Sequence, residues 1–223
     1  MNKPFIQAQG RPLIVGVTGS IGMGKSTVAA MFADEGIPIF CADAAVHAMQ
    51  AAGGELIDEI EAVFPGTTGE NGVDRQALGA AVLGDRDKLA RLEAIVHPAV
   101  ARRRVDFLAE HASADIILFD IPLLFEKGGQ AGVDVSVVVS ALAPVQRARV
   151  LARPGMTVER VEHISAIQMN DADKRARADH VIDTGGDLAQ TSAQVRELVK
   201  SLRATLASRP LRNSKNGPIP KSE

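Results

Sequence analysis

Short apolar runs alternate along this chain with longer stretches whose apolar residues recur at helical spacing. The first run, 13–18, is nearly all apolar rather than alternating, which is typical of a parallel strand buried on both faces. Four further runs predict strands at 37–41, 115–119, 133–139 and 180–182. Because helical stretches separate these runs, the pattern predicts the α/β class, with a parallel five-stranded sheet between helices.

A long helical region, residues 44–111, lies between the second and third predicted strands. It is interrupted at Gly53-Gly54, at 65–72 and at Pro98, and it is too long for a simple crossover between two strands. We expect this region to form a helical insertion that binds a substrate. Extra helices that only cover the sheet would give the same pattern.

A second insertion, residues 144–170, follows the fourth predicted strand. Its pattern predicts one helix up to Arg153, a break at Pro154-Gly155 and a second helix that Thr157 caps. Two helices joined at such a break predict a lid over a ligand. A last helix is predicted over 187–207, and the polar, proline-containing tail, 207–223, predicts disorder.

The composition, with 46% hydrophobic and 23% charged residues in 223, is that of an ordinary globular protein of one domain. A formal net charge of −2 gives no overall field that would attract nucleic acid or an anionic membrane. Aromatic residues make up only 3% of the chain, so stacking surfaces for single-stranded nucleic acid are few. We therefore expect no nucleic-acid partner.

Two further observations bear on location. No stretch approaches the roughly 18 apolar residues that a membrane span requires, and the N-terminal residues lack the apolar core of a signal peptide. The single cysteine, Cys41, cannot form an internal disulfide, which favours a reducing compartment. We expect a cytoplasmic protein without a membrane partner, either a monomer or a weak homo-oligomer.

Residues 19–26 read Gly-Ser-Ile-Gly-Met-Gly-Lys-Ser, which matches the phosphate-binding loop: a glycine, four residues, then Gly-Lys-Ser. In such a loop the glycines let backbone N–H groups point at phosphate oxygens, next to the positive end of the following helix. Lys25 would reach the outer phosphates, and the Ser26 hydroxyl would bind magnesium. Because the motif follows a predicted buried strand and opens a predicted helix, we interpret it as a nucleotide site rather than a glycine-rich turn.

The loop alone does not separate a GTPase, a motor ATPase and a small-molecule kinase. A GTPase would carry an Asn-Lys-x-Asp or Thr-Lys-x-Asp guanine motif, and the sequence contains neither. The segment 183–186 fits Asp-x-x-Gly, but it follows the last predicted strand, so we interpret it as a turn. This leaves a kinase as the favoured class.

Two aspartates follow predicted strands, at the sheet edge where ligands bind in parallel sheets. Asp43 could take the proton from an attacking hydroxyl, and it could also cap the helix that begins near Ala44; the two roles are compatible. Asp120 ends the third predicted strand, which is the expected place for an acidic residue near magnesium, with a helix or turn cap as the alternative.

Three basic side chains are further candidates. Arg149 and Arg153 are four residues apart on the first predicted lid helix, so both guanidinium groups could reach one phosphate. His97 precedes Pro98, where a helix boundary would explain it, and a catalytic role is the alternative. The basic runs 102–104 and 174–177 are interpreted as solvated helix faces, with the alternative that one of them holds a substrate phosphate.

Several segments resemble the dephospho-coenzyme A kinase family. They are the loop from Thr18 to Thr27, Ala42-Asp43 with His47, the His-Pro helix at 92–98, the Pro-Leu-Leu segment at 120–126, the lid residues Gln146, Arg149, Arg153, Gly155 and Gln168, and the closing segment at 178–185. The resemblance spans about residues 13–206. It departs from the family at Ile164, where many members have arginine, and at Pro154, where aspartate is common.

The resemblance implies a P-loop kinase that transfers the γ-phosphate of ATP to the ribose 3′-hydroxyl of dephospho-CoA, the final step of coenzyme A biosynthesis, with Mg²⁺ as cofactor. It implies one kinase domain over 13–206 with the substrate insertion and the lid. The expected ATP-binding residues are Gly22, Met23, Gly24, Lys25, Ser26 and Thr27. The expected catalytic residues are Lys25, Asp43, Arg149 and Arg153, the metal residues Ser26 and Asp120, and the substrate-binding residues Asp43, His97, Pro122 and Leu123.

Two rival functions remain at this point. One is another small-molecule P-loop kinase, for a nucleoside monophosphate or a metabolite alcohol. The other is a nucleotide-dependent regulator in which hydrolysis drives a conformational switch.

Overall fold

The computed structural model describes residues 11–126 and 128–208, so the tail from residue 209 lies outside the described residues. In this part of the chain the strands are β1 (Leu13–Thr18), β2 (Ile39–Cys41), β3 (Thr68–Gly69), β4 (Gly72–Val73), β5 (Ile116–Asp120), β6 (Val135–Ser140) and β7 (His180–Asp183). Five of them form a parallel sheet in the order β2-β5-β1-β6-β7, and β3 and β4 form a separate pair. The predicted parallel five-stranded sheet is confirmed, and each of its five strands begins within two residues of its predicted start.

Helices cover both faces of this sheet. They are α1 (Lys25–Asp34), α2 (Ala42–Gln50), α3 (Ile57–Val63), α4 (Arg75–Val82), α5 (Arg86–Glu110), α6 (Ala143–Leu151), α7 (Val158–Ile167), α8 (Asp171–Arg177) and α9 (Leu188–Ala207), with a 3-10 helix at Gly129–Gly132. Side chains of β1 alternate between the faces: Leu13 and Val15 pack with α1 and α9, and Ile14 packs beneath α5. Within the described residues, no helix combines the length and the apolar character that crossing a membrane requires.

The predicted helical insertion consists of α2 to α5 and has a small core of its own. The buried members of this core are Met49, Leu56, Ile60, Phe64, Leu78 and Ala99. Where the sequence predicted only a break, at 65–72, the chain forms the antiparallel hairpin β3-β4. Strands of two residues are too short to leave an alternating pattern, which is why the sequence did not reveal them.

The predicted helix break at Pro98 is wrong. Helix α5 runs for 25 residues with Pro98 inside it, so His97 lies within a helix rather than at its boundary. A proline in a helix interior costs about 3 kcal/mol, because one hydrogen bond is lost and the ring crowds the preceding turn. Apolar residues on both sides of Pro98 pack into the same cluster, namely Leu92, Ile95, Val96, Ala99 and Val100. We infer that this shared packing offsets the cost.

The second insertion differs in detail from its prediction. Helix α6 ends at Leu151, so Arg153 follows the helix rather than belonging to it. The Thr157 hydroxyl accepts a hydrogen bond from the backbone N–H of Arg160 at 3.3 Å, which confirms the predicted cap. Helix α8 carries the basic run 174–177, which the sequence analysis placed on a solvated helix face, but Lys174 is 0% exposed.

We expect the protein to lose stability as the pH falls below about 6.5, partly through His180 at the start of β7. Burial lowers the pKa of His180, and the nearby Asp179 only partly opposes this effect. The unfolded chain therefore binds a proton at a pH where the folded chain does not, so acid favours unfolding. Chemical denaturation at pH 7.5 and pH 5.5 should give a smaller decrease for His180→Gln than for the wild type. An equal decrease in both proteins would contradict this role.

Candidate active site

The glycine-rich loop connects β1 to α1 at the carboxyl end of the sheet. Gly22 and Gly24 have positive φ angles of 81° and 88°, which glycine adopts without steric cost. A Cβ atom at Gly22 would lie 2.9 Å from the carbonyl oxygen of Gln146 and would collide with Val150. Helix α6, which carries both of these residues, therefore packs directly against the loop.

Met23 anchors the loop to the sheet. Its side chain is buried, and its sulfur accepts a hydrogen bond from the backbone N–H of Ala141 at 3.2 Å. Its carbonyl oxygen accepts the hydroxyl of Thr184 at 2.7 Å. The expected ATP contact of Met23 would therefore involve its backbone rather than its side chain.

Lys25 and Asp120 form an ion pair. Lys25 is the first residue of α1, Asp120 is the last residue of β5, and both side chains are largely buried. Asp120 lies in a strand and pairs with a lysine, so the alternative of a helix or turn cap is wrong. The structure thus places the expected metal ligand beside the expected phosphate-binding lysine.

A cleft of about 720 Å³ opens next to this ion pair. Its lining includes all of the expected substrate-binding residues, Asp43, His97, Pro122 and Leu123, and also Asp120. Arg104 also lines the cleft, although the sequence placed it on a solvated face. Residues distant in the chain therefore form one cavity at the edge of the sheet.

Asp43 is the second residue of α2 rather than the residue that caps it. Cys41 occupies the cap position, and no side chain caps this helix. The Asp43 carboxylate is exposed and makes no hydrogen bond to another described residue, so the predicted capping role is wrong. The carboxylate is accessible to a ligand in the cleft.

Two smaller cavities, of about 260 and 230 Å³, lie along the loop. The first is lined by Gly22, Gly24, Thr27, Arg149, Arg153 and Thr184 among others, and the second by Lys25, Ser26, Thr27, Pro122, Arg153 and Gln168 among others. Arg153 lines both cavities although it lies beyond the end of α6. Both arginines therefore line a cavity along the loop, although the helical spacing on which the prediction relied does not extend to Arg153.

Arg149 is already engaged in the structure. Its guanidinium donates to the Thr184 carbonyl oxygen at 2.6 Å and to the Thr184 hydroxyl oxygen at 3.2 Å. Since the Thr184 hydroxyl also donates to the Met23 carbonyl oxygen, Arg149 is connected to the residue that anchors the loop.

The turn predicted at 183–186 is confirmed, because the backbone N–H of Gly185 donates to the Asp183 carboxylate at 2.7 Å. The contacts of Thr184 with Arg149 and Met23 were not predicted, because its position in this turn was the only signal in the sequence.

The oxygen donors expected at a metal face the loop and the cleft. Ser26 lines the 230 Å³ cavity, Asp120 lines the cleft, and Pro122 lines both. A hydroxyl and a carboxylate fit Mg²⁺, which is commonly bound through one or two carboxylates together with substrate phosphates. Among the described side chains, no group of three or more His, Cys, Asp or Glu residues is arranged to hold a metal ion.

An ion pair between the partly buried Glu126 and the fully buried Lys174 was also missed in the sequence. The Lys174 ammonium lies 2.9 Å from Glu126 Oε1, which also accepts the backbone N–H of Met169 at 2.8 Å. Burial raises the pKa of Glu126, but Lys174 and the Met169 amide outweigh it, so the net pKa is lowered. Glu126 is therefore ionised at neutral pH.

The fold and the loop together define a P-loop kinase: a parallel sheet, a glycine-rich loop at a helix N-terminus, and a cleft beside the loop. The sequence model of the family described as dephospho-CoA kinase matches residues 13–190. The chain belongs to this family, and it is accordingly an enzyme, a phosphotransferase.

Individual relatives agree with this assignment. A dephospho-CoA kinase from Novosphingobium aromaticivorans is 62% identical over 193 residues, which cover 86% of this chain and 96% of the relative. A dephospho-CoA kinase from Cereibacter sphaeroides is 51% identical over 195 residues, covering 87% and 98%. A crystal structure from Thermus thermophilus superposes with a TM-score of 0.74 at 35% identity, covering 86% of this chain and 98% of that one. A Campylobacter jejuni dephospho-CoA kinase, with a TM-score of 0.60 at 20% identity over 85% and 96% of the two chains, shares the fold.

Arg153→Ala should slow turnover about ten- to a hundredfold without lowering the melting temperature of the free protein. A charge-assisted bond to phosphate contributes about 1.5 to 3 kcal/mol, and Arg153 makes no hydrogen bond to the described residues that the substitution would break. Steady-state kinetics and thermal melts of Arg153→Ala measure the turnover and the melting temperature.

Arg149→Ala should slow turnover by a similar factor, and it should also lower the melting temperature, because Thr184 loses its hydrogen-bond partner. The same two measurements test this prediction.

Arg147→Ala is the matched control, because Arg147 is exposed on α6 and lines none of the described cavities of the site. It should behave as wild type. Normal turnover in both Arg149→Ala and Arg153→Ala would remove these arginines from the reaction.

Proposed function

We propose that the cleft binds dephospho-CoA, that the loop binds ATP, and that the γ-phosphate passes from one to the other at the boundary between them. The observation that supports this proposal most directly is the position of Pro122, which lines both the cleft and the loop cavity. Its carbonyl oxygen accepts the hydroxyl of Thr18 at 3.0 Å, and Thr18 is the last residue before the loop. A substrate hydroxyl in the cleft can therefore meet a phosphate held by the loop.

On this proposal, Lys25 and the two arginines stabilise charge on the transferring group. The loop amides and the N-terminus of α1 hold the phosphates of ATP. Lys25 exchanges its partner Asp120 for an outer phosphate, and Arg153 reaches the same phosphate from the other side of the loop cavity. Such cations act where negative charge develops in the transition state, and they require no rearrangement of water.

Asp43 is the proposed general base. The ribose 3′-hydroxyl oxygen forms a bond to the γ-phosphorus while the bond to the β,γ-bridging oxygen breaks, and ADP leaves with that electron pair. The hydroxyl proton passes to the free carboxylate of Asp43. His97, Leu123 and Pro122 line the cleft around the ribose and are proposed to orient it.

The proposed cofactor is Mg²⁺, held by Ser26 and Asp120 together with the phosphates of ATP. When bound, it would neutralise negative charge on the β- and γ-phosphates. We also propose that the protein works in the cytoplasm, with ATP and dephospho-CoA as its partners.

ADP release measured with a panel of acceptors tests the proposed substrate. Dephospho-CoA, AMP, CMP and shikimate are supplied separately with MgATP, and the phosphorylated product is identified by mass spectrometry. We expect turnover with dephospho-CoA to exceed that with each other acceptor by at least about tenfold in kcat/KM, a difference of about 1.4 kcal/mol in transition-state binding. Faster turnover with a nucleoside monophosphate or with shikimate would contradict the proposal.

A further inference from the structure

The Glu126–Lys174 pair joins two parts of the molecule that are distant in sequence. Glu126 ends the segment 120–126, which begins with Asp120, the last residue of β5. Lys174 lies on α8 and is 0% exposed. Asp171, on the same helix, accepts the hydroxyl of Ser140 at 2.7 Å, which fixes α8 to the end of β6. Glu126 Oε2, Asp171 Oδ1 and Lys174 Nζ are buried and make no hydrogen bond to another described residue, so Lys174 holds Glu126 by charge attraction across 2.9 Å.

From this pair, one connection leads to the acceptor cleft. The segment 120–126 contributes Pro122 and Leu123 to the cleft lining. The next two residues, Leu124 and Phe125, are 0% and 5% exposed and pack with Val138 in one apolar cluster. Closely packed residues therefore connect the lining of the cleft to Glu126 along this segment.

The other connection leads to the phosphate loop. The Glu126 carboxylate accepts the backbone N–H of Met169, whose side chain packs against the same apolar cluster. The preceding residue, Gln168, accepts the backbone N–H of Ile21 at 3.0 Å, and Ile21 belongs to the loop. Ile21 has a second, independent contact, because its carbonyl oxygen accepts a hydrogen bond from the Gln146 side chain at 2.8 Å.

We propose that Glu126, held by Lys174, is a positioning residue that couples the acceptor cleft to the phosphate loop, so that dephospho-CoA and ATP each strengthen the binding of the other. The proposal rests on the proposed function, because it takes dephospho-CoA as the ligand of the cleft. Glu126 touches neither substrate in this scheme. It acts through Met169 and Gln168 on the loop.

The direction of the coupling follows from conformational entropy. A ligand against Pro122 and Leu123 restricts the segment 120–126, and through Glu126 and Gln168 it also restricts the loop. ATP then binds to a loop that has already lost part of its freedom, so its binding is more favourable. Thermodynamic linkage requires ATP to raise the affinity for dephospho-CoA by the same factor.

Calorimetry measures the coupling factor, which is the ratio of the ATP dissociation constants without and with dephospho-CoA. The dissociation constant of a non-hydrolysable β,γ-imido analogue of ATP, with Mg²⁺, is determined in the absence and in the presence of saturating dephospho-CoA, and the reciprocal titration follows. Couplings of this kind commonly lie between about 5- and 150-fold, so we expect a factor of at least about fivefold for the wild type. Because the factor is a ratio, a direct effect of a substitution on ATP affinity cancels.

Two variants interrupt the connection in different ways. The double variant Glu126→Leu/Lys174→Met removes both charges and leaves neither ion buried without its partner, which favours folding. Gln168→Ala removes the contact with Ile21 and part of the lining of the loop cavity, and it leaves the Glu126–Lys174 pair intact. We expect the factor to fall to near one in both. Gln146→Ala is the matched control: it removes the other side-chain contact with Ile21, which does not lead to Glu126, and the factor should stay at the wild-type value.

The outcomes separate the coupling from the proposed function. A wild-type factor of one, or an unchanged factor in folded Gln168→Ala, overturns the coupling even if the enzyme phosphorylates dephospho-CoA normally. Should the double variant fail to fold, Gln168→Ala decides the matter by itself. A fall in Gln146→Ala as large as in Gln168→Ala also overturns it, because the effect would then belong to the loop in general. Absence of dephospho-CoA binding by the wild type contradicts the proposed function instead.

Discussion

Replacing Lys25 by alanine should reduce kcat by at least about a hundredfold, the loss that removal of a single charge-stabilising group typically causes. Lys25 is the cation nearest to Asp120 and lines the loop cavity, so its loss leaves the transferring phosphate without its proposed charge partner. Single-turnover phosphoryl transfer, measured at saturating ATP, would isolate this effect on chemistry.

The substitution has a second consequence, which gives it an internal control. Without Lys25 the largely buried carboxylate of Asp120 has lost its ion-pair partner, so we expect a lower melting temperature. Lys25→Ala/Asp120→Asn should recover stability while remaining inactive. Lys200→Ala, which removes an exposed lysine on α9, should resemble wild type in both measurements. Retention of more than about a tenth of the wild-type kcat by Lys25→Ala would contradict the interpretation of the loop.

The second large effect is expected for Asp43→Asn, which should lower kcat by about 10² to 10⁴, the usual contribution of a positioned general base. The affinity for ATP should stay near the wild-type value, because Asp43 lines the acceptor cleft and neither loop cavity. Equilibrium binding of ATP and the rate of the chemical step can be measured on the same preparation.

Asp43→Asn should have little effect on the stability of the protein. Asp43 does not cap α2 and only lies in its first turn, so the melting temperature should change little. Asp106→Asn, at an exposed position of α5, is the matched control and should be fully active. Normal turnover by Asp43→Asn, together with a stability loss of about 1 kcal/mol, would instead support a purely structural role.

The features that the sequence predicted well are those that local patterns determine. The β1 strand, the loop and α1 were predicted because a buried strand requires continuous apolar residues and a phosphate loop requires glycines at fixed spacing. The positions of Asp43 and Asp120 at strand ends follow from the same pattern, since parallel strands carry their carboxyl ends to one edge. The shared cleft of these two aspartates is the three-dimensional result.

The features that the sequence predicted poorly depend on packing between distant segments. Pro98 has a strong local preference to end a helix, and the apolar cluster on both sides of it outweighs that preference. Lys174 belongs to a basic run that looks solvated, and only the fold places Glu126 beside it. Its neighbours Arg175 and Arg177 are exposed as predicted, so the run itself gave no sign of which member is buried.

In the candidate site, too, local patterns predicted some features, whereas contacts between distant segments were not predicted. Arg149 and Arg153 both line the 260 Å³ cavity along the loop, but the helical spacing behind that prediction does not hold, because α6 ends before Arg153 is reached. The contact of Arg149 with Thr184 joins residues 35 apart in the chain, and no local pattern indicates such a pair. Roles that rest on such contacts require the folded structure.

The most direct test of the central claim, transfer of phosphate from ATP to the ribose 3′-hydroxyl of dephospho-CoA, is a ³¹P NMR time course of the wild-type reaction. The account predicts that each ADP formed is matched by one new phosphomonoester on the ribose 3′ position, with no accumulation of inorganic phosphate. Formation of ADP with an equal amount of inorganic phosphate, or a phosphomonoester at another position of the acceptor, would contradict it.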